Sequence, residues 1–305
     1  MSINPKPPTI KAIEIHEFLS LMLPPREMIL EPWLPSQGIA MIYAARGIGK
    51  TFISMFIAYA VACGEKFMNW TAPNPRGVLY LDGEMPAKVL QERQANIALS
   101  CDKEPSAPFI LITPDLQEMG MIDLSRKEDQ EALEPFLEDI SLIVVDNLST
   151  LCRTGRENEG ESWLPVQEWA LRQRSSGRTV LFVHHAGKSG QQRGASRRED
   201  VMDTVISLKR PADYTPDKGA TFEVHFEKAR GLMGDETKPF EATLTTTKEG
   251  NFEWITKSLE ESTAEKVASL LNDGVLQHEI AEMLGLAKGT ISKAKKKALA
   301  QGLIQ

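Results

Sequence analysis

The stretch "MIYAARGIGKTF", residues 41–52, decides the fold. An apolar run ends at Ala44, a turn with two glycines follows, and from Thr51 the chain continues as the helix-like "TFISMFIAYAVACG". Strand, glycine turn and helix is the arrangement in which successive backbone N–H groups turn inward around an anion at a helix N-terminus. Residues 44–51 fit the spacing G-x-x-x-x-G-K-[ST] at every defined position except the first, where Ala44 stands in place of glycine. A methyl group is tolerable there if residue 44 simply extends the strand and needs no positive φ. The expected nucleotide-binding residues are Ala45, Arg46, Gly47, Ile48, Gly49, Lys50, Thr51 and Phe52. Gly47 and Gly49 let the backbone curl around phosphate oxygens, Lys50 supplies charge to the β- and γ-phosphates, and the Thr51 hydroxyl ligates Mg²⁺. The expected cofactors are therefore ATP and Mg²⁺.

Outward from this loop the chain alternates. "GIAMIYA", "GVLYLD", "PFILI", "SLIVVDN" and "RTVLFVHH" are short, continuous apolar runs. Between them lie helical patterns from about Thr51, in "PAKVLQERQANIAL", within 126–139 and within 161–175. Unbroken apolar strands separated by helices predict a parallel sheet covered on both faces. After residue 200, "DTVISLKR", "ATFEVHFEKAR", "KPFEATLTTT" and "NFEWIT" predict antiparallel hairpins added at the sheet's far edge. The fold class expected is α/β, with a small all-α unit at the end. Residues 1–36 read as a proline-rich, irregular arm with a short amphipathic segment around Ile13–Leu23, residues 37–257 as the α/β domain, and 262–305 as the helical one, after the polar joint "KSLEESTAEK".

Bulk properties narrow the partners. The 305-residue chain carries a net charge of −7, yet residues 262–305 hold six Lys against four Asp and Glu. A nucleic-acid partner would have to be gripped by a local patch or channel rather than by overall charge. Three well-separated cysteines (Cys63, Cys101, Cys152) form no C-x-x-C pair, which argues against a disulfide framework or zinc site and fits a reducing cytoplasm. No run approaches a membrane span, so no membrane association is expected.

Two carboxylates accompany the loop. Asp146 ends the apolar "LIVVD", where an acid at a strand terminus serves a Mg²⁺–water shell. Glu84, in "LYLDGEMP", follows another strand and is placed to orient a water, with Asp82 two residues earlier. "GEMPAKVLQER" resembles the signature after the second core strand of RecA-like replicative helicases of the DnaB kind. "VLFVHHAGKSG" followed by "RGASRREDVMDTVISL" is similar to the later part of that core, and "PWLP…YAARGIGKT" brings the chain nearest to plasmid RepA-type hexameric helicases. The resemblance covers roughly residues 28–250 and implies a RecA-like P-loop fold in a homo-oligomer, a hexameric ring.

By position, it implies that Glu84 is the catalytic base, Asp146 the metal-site acid and His185 the polar sensor of the γ-phosphate. Metal binding by the His184–His185 pair is not expected, because neighbours on a strand point to opposite faces. In such rings, loops leaving the sheet line the channel and grip single-stranded DNA by its phosphates. "TLCRTGRENEGES" and "AGKSGQQRGASRRED" offer Arg153, Arg156, Lys188, Arg193, Arg197 and Arg198, without an aromatic for base stacking. DnaB-like ATPases carry a Lys-x-Arg on a hairpin that enters the next subunit's site. Lys228 and Arg230 in "FEKARG" match it, with Lys209 and Arg210 as competitors.

The C-terminal stretch opens with Ser262 and Glu265 at capping-box spacing and then reads as three helices in a helix-turn-helix pattern. Thr290, Ser292, Lys293, Lys296 and Lys297 would face duplex DNA, and Ile280, Leu284, Ile291 and Leu299 would form the core. The function expected is an ATP-driven helicase or translocase on single-stranded DNA in replication of a plasmid or mobile element. The alternative is a DNA-binding regulator or recombination mediator whose ATP controls oligomerisation.

Overall fold

The structure is a computed structural model, and it describes residues 10–153, 163–186 and 199–304. Helix α1 (Ile15–Ser20) buries no side chain. The segment beyond it departs from the irregular arm expected for residues 1–36. There, β1 (Met28–Leu30) and β2 (Leu34–Pro35) form an antiparallel hairpin whose Ile29, Leu30, Trp33 and Leu34 are buried. Apolar side chains closely spaced around a turn drive this hairpin onto the body, overriding its proline content.

The central elements follow in chain order: β3 (Ile39–Ala44), α2 (Lys50–Cys63), β4 (Lys66–Phe67), β5 (Trp70–Thr71), β6 (Gly77–Asp82), α3 (Ala87–Leu99), β7 (Phe109–Ile112), α4 (Lys127–Leu133), β8 (Ile140–Asp146), α5 (Leu148–Leu151), α6 (Trp163–Ser175), β9 (Thr179–His185), β10 (Thr204–Lys209), β11 (Thr221–Ala229), β12 (Phe240–Thr246) and β13 (Phe252–Ser258). One nine-stranded sheet runs β13-β12-β11-β10-β3-β9-β8-β6-β7. Strands from β10 through β7 are parallel, and β10 to β13 form antiparallel pairs. This corrects one expectation. β10 is a core strand, parallel to β3 over Thr204–Leu208, and the antiparallel addition begins only at β11.

The two-residue alternation of strands sorts the apolar side chains into two layers. Ala40, Ile42, Val78, Tyr80, Leu142, Val144, Leu181 and Val183 face α2. Ile39, Met41, Leu79, Leu81, Ile143, Val145, Val180 and Phe182 face the opposite layer, which includes Trp163 and Trp169 of α6. Helix α2 is apolar around almost its whole circumference because it is covered twice, by the sheet and by the curling antiparallel strands. Phe56 stacks on Phe67 and meets Trp254 edge-on, and Phe222 packs on Trp254.

The three terminal helices (Leu259–Asn272, Gln277–Met283 and Lys288–Ala300) have small cores of their own. The first starts earlier than the sequence suggests: Ser258 and Glu261 form the capping box, while Ser262 lies buried within the helix. Both serine–glutamate pairs have the right spacing, but only the earlier one follows directly on β13. Ile280, Leu284 and Ile291 are buried as expected, but Leu299 is exposed and Ala298 fills that place. Lys266 of the first helix ties this unit to the body. Its Nζ lies 3.0 Å from Asp213 Oδ1 and 2.5 Å from Glu241 Oε2.

Ile280→Ala should cost roughly 2–5 kcal/mol locally. Hydrogen exchange will then accelerate across the three terminal helices while β3, β8 and β9 keep their protection. Uniform acceleration through the sheet would show instead that the helices share one cooperative core with it.

Candidate functional site

The carboxyl ends of four adjacent parallel strands lie within two residues of one another in register. Ala44 pairs with His185, Val183 with Asp146, and Asp146 with Asp82. Whatever follows those residues must therefore converge, and crevices outside strand carboxyl ends are where open α/β sheets bind ligands. A cleft of about 470 Å³ lies there, lined by residues that include Gly47–Phe52, Glu84, Asp146 and His185.

Ala44 remains within β3 and is buried, so the missing first glycine costs nothing. The conformations that do need glycine are at Gly47 (φ 77°) and Gly49 (φ 120°). Lys50 is buried, and its Nζ donates to the carbonyls of Ala44 (3.1 Å) and Ala45 (3.0 Å). Burial pushes its pKa down to about 8, against the pull of the Asp146 and Glu84 carboxylates. Asp146 is buried too. Burial raises its pKa, while hydrogen bonds from Tyr80 and Thr51 oppose the rise.

Glu84 leaves β6 on a turn held by Asp82, whose Oδ2 accepts from the Met85 N–H at 3.0 Å and the Thr113 hydroxyl at 3.3 Å. Asp82 is buried, and burial followed by the charge of Asp146 lifts its pKa to about 6. It thus holds the turn while Glu84 faces the cleft. Glu84 Oε1 sits 3.5 Å from His185 Nε2. Asn147 has its amide oriented by the Ser149 N–H bonded to Oδ1, so its Nδ2 donates to His185 Nε2 at 3.3 Å. Burial, then the Lys50 charge, lower the His185 pKa, with Glu84 opposing. With its proton on Nδ1, the neutral His185 ring accepts from Asn147 at Nε2. A protonated ring would turn the same nitrogen into a donor for Glu84, so His185 has two alternative partners for one atom.

Two arginines complete the lining: Arg93, which carries no signal in the sequence, and Arg210, expected above only as a competitor to Arg230. Arg93 of α3 lines the cleft, with its Cζ 4.8 Å from the Phe52 ring centre and an N–H on Met85 Sδ at 3.0 Å. Arg210 also lines it, stacked 3.7 Å over the Tyr214 ring and donating to the Gly47 carbonyl at 2.6 Å. The spacing of Arg93 nine residues after Glu84 was available, but spacing does not reveal which way a helix faces.

Other expected residues lie elsewhere. Lys228 pairs in register with Val205 and lies at the end of β10–β11 away from the loop, where its Nζ donates to the Glu199 carbonyl and Arg230 Nη2 to that of Asp200. Neither belongs to this chain's own cleft, whereas Arg210 does. Arg153 is held to the body through the Met121 carbonyl and, at 4.0 Å, Asp123. Arg156, Lys188, Arg193, Arg197 and Arg198 lie outside the described residues. On the last helix Thr290, Ser292 and Lys296 are exposed. Lys293 and Lys297 sit 3.0 and 3.7 Å from Glu260, so their charge is partly answered within the chain.

The chain belongs to the AAA domain family, which matches residues 4–191. Two solved structures share the fold. The KaiC-like protein PH0186 from the hyperthermophilic archaeon Pyrococcus horikoshii OT3 matches with a TM-score of 0.50 and 15% identity, over 75% of this chain and 93% of that one. The flagellar accessory protein FlaH from Methanocaldococcus jannaschii matches with a TM-score of 0.51 and 15% identity, over 72% and 90%. No curated protein matches the chain. The expected RecA-like P-loop ATPase fold is thus shown. Among the described residues, no helix is long and apolar enough to cross a membrane.

The Lys50 shift has a measurable consequence. A polyanion binds the charged ammonium, and the folded chain begins to release that proton near pH 8 rather than near 10.5. Affinity for ATP should therefore fall as pH rises above 8, by up to about tenfold per unit. Lys50→Arg, which stays charged, should show no such fall in whatever binding it retains. A wild-type affinity flat between about pH 7.5 and 9.5 would contradict the assignment.

Proposed function

We propose that the chain hydrolyses ATP with Mg²⁺ and converts the cycle into movement along single-stranded DNA, as a ring-forming translocase of the RepA or DnaB kind. One observation carries the hydrolytic part: Lys50, Thr51, Asp146, Glu84 and His185, separated by up to 135 positions in sequence, line a single cleft. In this reading the Gly47–Thr51 amides and Lys50 hold the phosphates, and Glu84 takes a proton from the attacking water. His185, with its two competing partners, changes hydrogen bonding when the γ-phosphate leaves.

The donors fit magnesium. A Thr hydroxyl and a buried carboxylate are hard oxygen ligands, and no cluster of three or more His, Cys, Asp or Glu able to hold a metal occurs among the described residues. Mg²⁺ is commonly held by one or two protein oxygens together with substrate phosphates. Thr51 and Asp146 would hold it here, and when bound it neutralises charge on the β- and γ-phosphates.

Support for the motor comes from connectivity. The chain leaves β8 through Asn147 and α5 towards the Arg-containing stretch 153–156, and leaves β9 directly after His185 towards Lys188 and Arg193–Arg198. Residues proposed to sense the nucleotide are thus sequence neighbours of those proposed to grip DNA phosphates. In this reading Lys228 and Arg230, remote from their own cleft, would serve the site of an adjacent copy in a homo-oligomer, a hexamer. In this reading the three terminal helices form a helix-turn-helix unit for duplex DNA, with Thr290, Ser292, Lys293 and Lys296 exposed.

ATP turnover should rise with single-stranded DNA of any sequence, with a strong dependence on salt. Lys50→Ala should abolish it, and Glu84→Gln should lower kcat by about 10²–10⁴-fold while ATP still binds. Strand displacement assayed beside electron microscopy of the same sample tests the ring. Stimulation only by one particular duplex would favour a regulator, and no hydrolysis under any condition would remove the proposal.

A further inference from the structure

Strand β6 reads "GVLYLD" and is buried along its whole length. A phenol in that row must find a polar partner, because an unpaired hydroxyl in an apolar layer is costly. Tyr80 Oη lies 2.7 Å from Asp146 Oδ2 and 2.8 Å from Ser54 Oγ, and Ser54 Oγ lies 3.3 Å from the same carboxylate oxygen. Tyr80 and Ser54 are fully buried and Asp146 is 3% exposed, so water does not compete for these bonds. Each residue comes from a different element: α2, which the phosphate loop opens, then β6 and β8.

Counting protons fixes the direction of the bonds. A carboxylate only accepts, so the single Tyr80 proton goes to Asp146 Oδ2. The Tyr80 oxygen is then free to accept, and in the Ser54–Tyr80 bond Ser54 is the donor. The Ser54 hydroxyl has one proton and three acceptors in reach, so that proton is shared among the Tyr80 oxygen, the Thr51 carbonyl at 3.0 Å in the first turn of α2, and Asp146 Oδ2 at 3.3 Å. The terminal torsion of an aspartate is soft and broad. The Tyr80 proton on Oδ2, with Ser54 Oγ packed against the same oxygen, restricts that torsion, and Thr51 also hydrogen-bonds the carboxylate. The carboxylate held in this way lines the cleft together with Thr51.

We infer that Tyr80, supported by Ser54, is a positioning residue that holds the Asp146 carboxylate in the rotation suited to the metal of a bound Mg²⁺–nucleotide. The inference rests on the cleft being the nucleotide site. Its reach is specific: Tyr80 touches neither phosphate nor metal, so its loss should spare metal-free nucleotide binding and weaken only the part of the affinity that Mg²⁺ adds. Partners behind a metal ligand typically tune metal affinity by about 10–100-fold.

The test uses the full chain and a fluorescent ATP analogue, with Kd measured in EDTA and in excess Mg²⁺. The ratio of the two is the readout, with thermal unfolding recorded beside it. Tyr80→Phe keeps the ring and removes only the hydroxyl. Its Kd in EDTA should stay within about twofold of wild type, while the gain conferred by Mg²⁺ shrinks about tenfold. Ser54→Ala should shrink it in the same direction by less, and it carries the test should Tyr80→Phe fail to fold. An undiminished Mg²⁺ gain in a folded variant overturns the inference and leaves the nucleotide site standing. A wild-type chain that binds no nucleotide in either buffer removes the nucleotide reading itself, and the positioning role with it.

Discussion

The shared register of β3, β9, β8 and β6 is the constraint on which the site depends. Parallel strands buried on both faces leave their interiors to apolar side chains and push polar chemistry to the strand ends. Because Ala44 ends level with His185, and Asp146 with Asp82 only two residues short of them, the phosphate loop, Asp146, His185 and the turn bearing Glu84 need no long excursion to meet. A one-residue slip in any of these pairings would turn inward-facing side chains to the opposite layer and move the acid off the cleft.

Burial at that edge sets the electrostatics. Lys50 and Asp146 are both withdrawn from water, which lowers the pKa of one and raises that of the other. Each charge thus depends on what the cleft binds: phosphate favours the ammonium, and a cation favours the carboxylate. His185 lies near both Lys50 and Glu84, so the same charges bear on its proton and on its choice between Asn147 and Glu84. Ligand binding would in this way settle several protonation states together, in an interior where electrostatic interactions are stronger than in water.

The phosphate loop was legible because its function demands glycines and a lysine at fixed spacing, and the strands because burial on two faces leaves unbroken apolar runs. The direction of β10 was not legible. "DTVISLKR" carries the same pattern whether its neighbour runs with it or against it, and only the pairing of Thr204–Leu208 with Ala40–Ala44 decides. The cap at Ser262 was a fair reading of spacing, but helix starts are set by where the preceding strand stops, and Ser258 took the role. Leu299 and Ala298 differ by one position in a helix, a 100° turn that periodicity in a short, lysine-rich stretch resolves poorly. The parts played by Tyr80 and Arg93 are not legible because their meaning lies in what they face, and Arg210 is legible only as a candidate for a neighbour's site. In sequence they are a strand aromatic, a helix cation and a strand-end cation.

The most direct test is hydrogen exchange on the full chain with and without Mg²⁺–ATP, resolved to the amides of residues 47–51. Those N–H groups should slow strongly on nucleotide addition, together with amides around Glu84 and His185. Binding that leaves residues 47–51 exchanging at their free rate would place the nucleotide elsewhere and contradict the account.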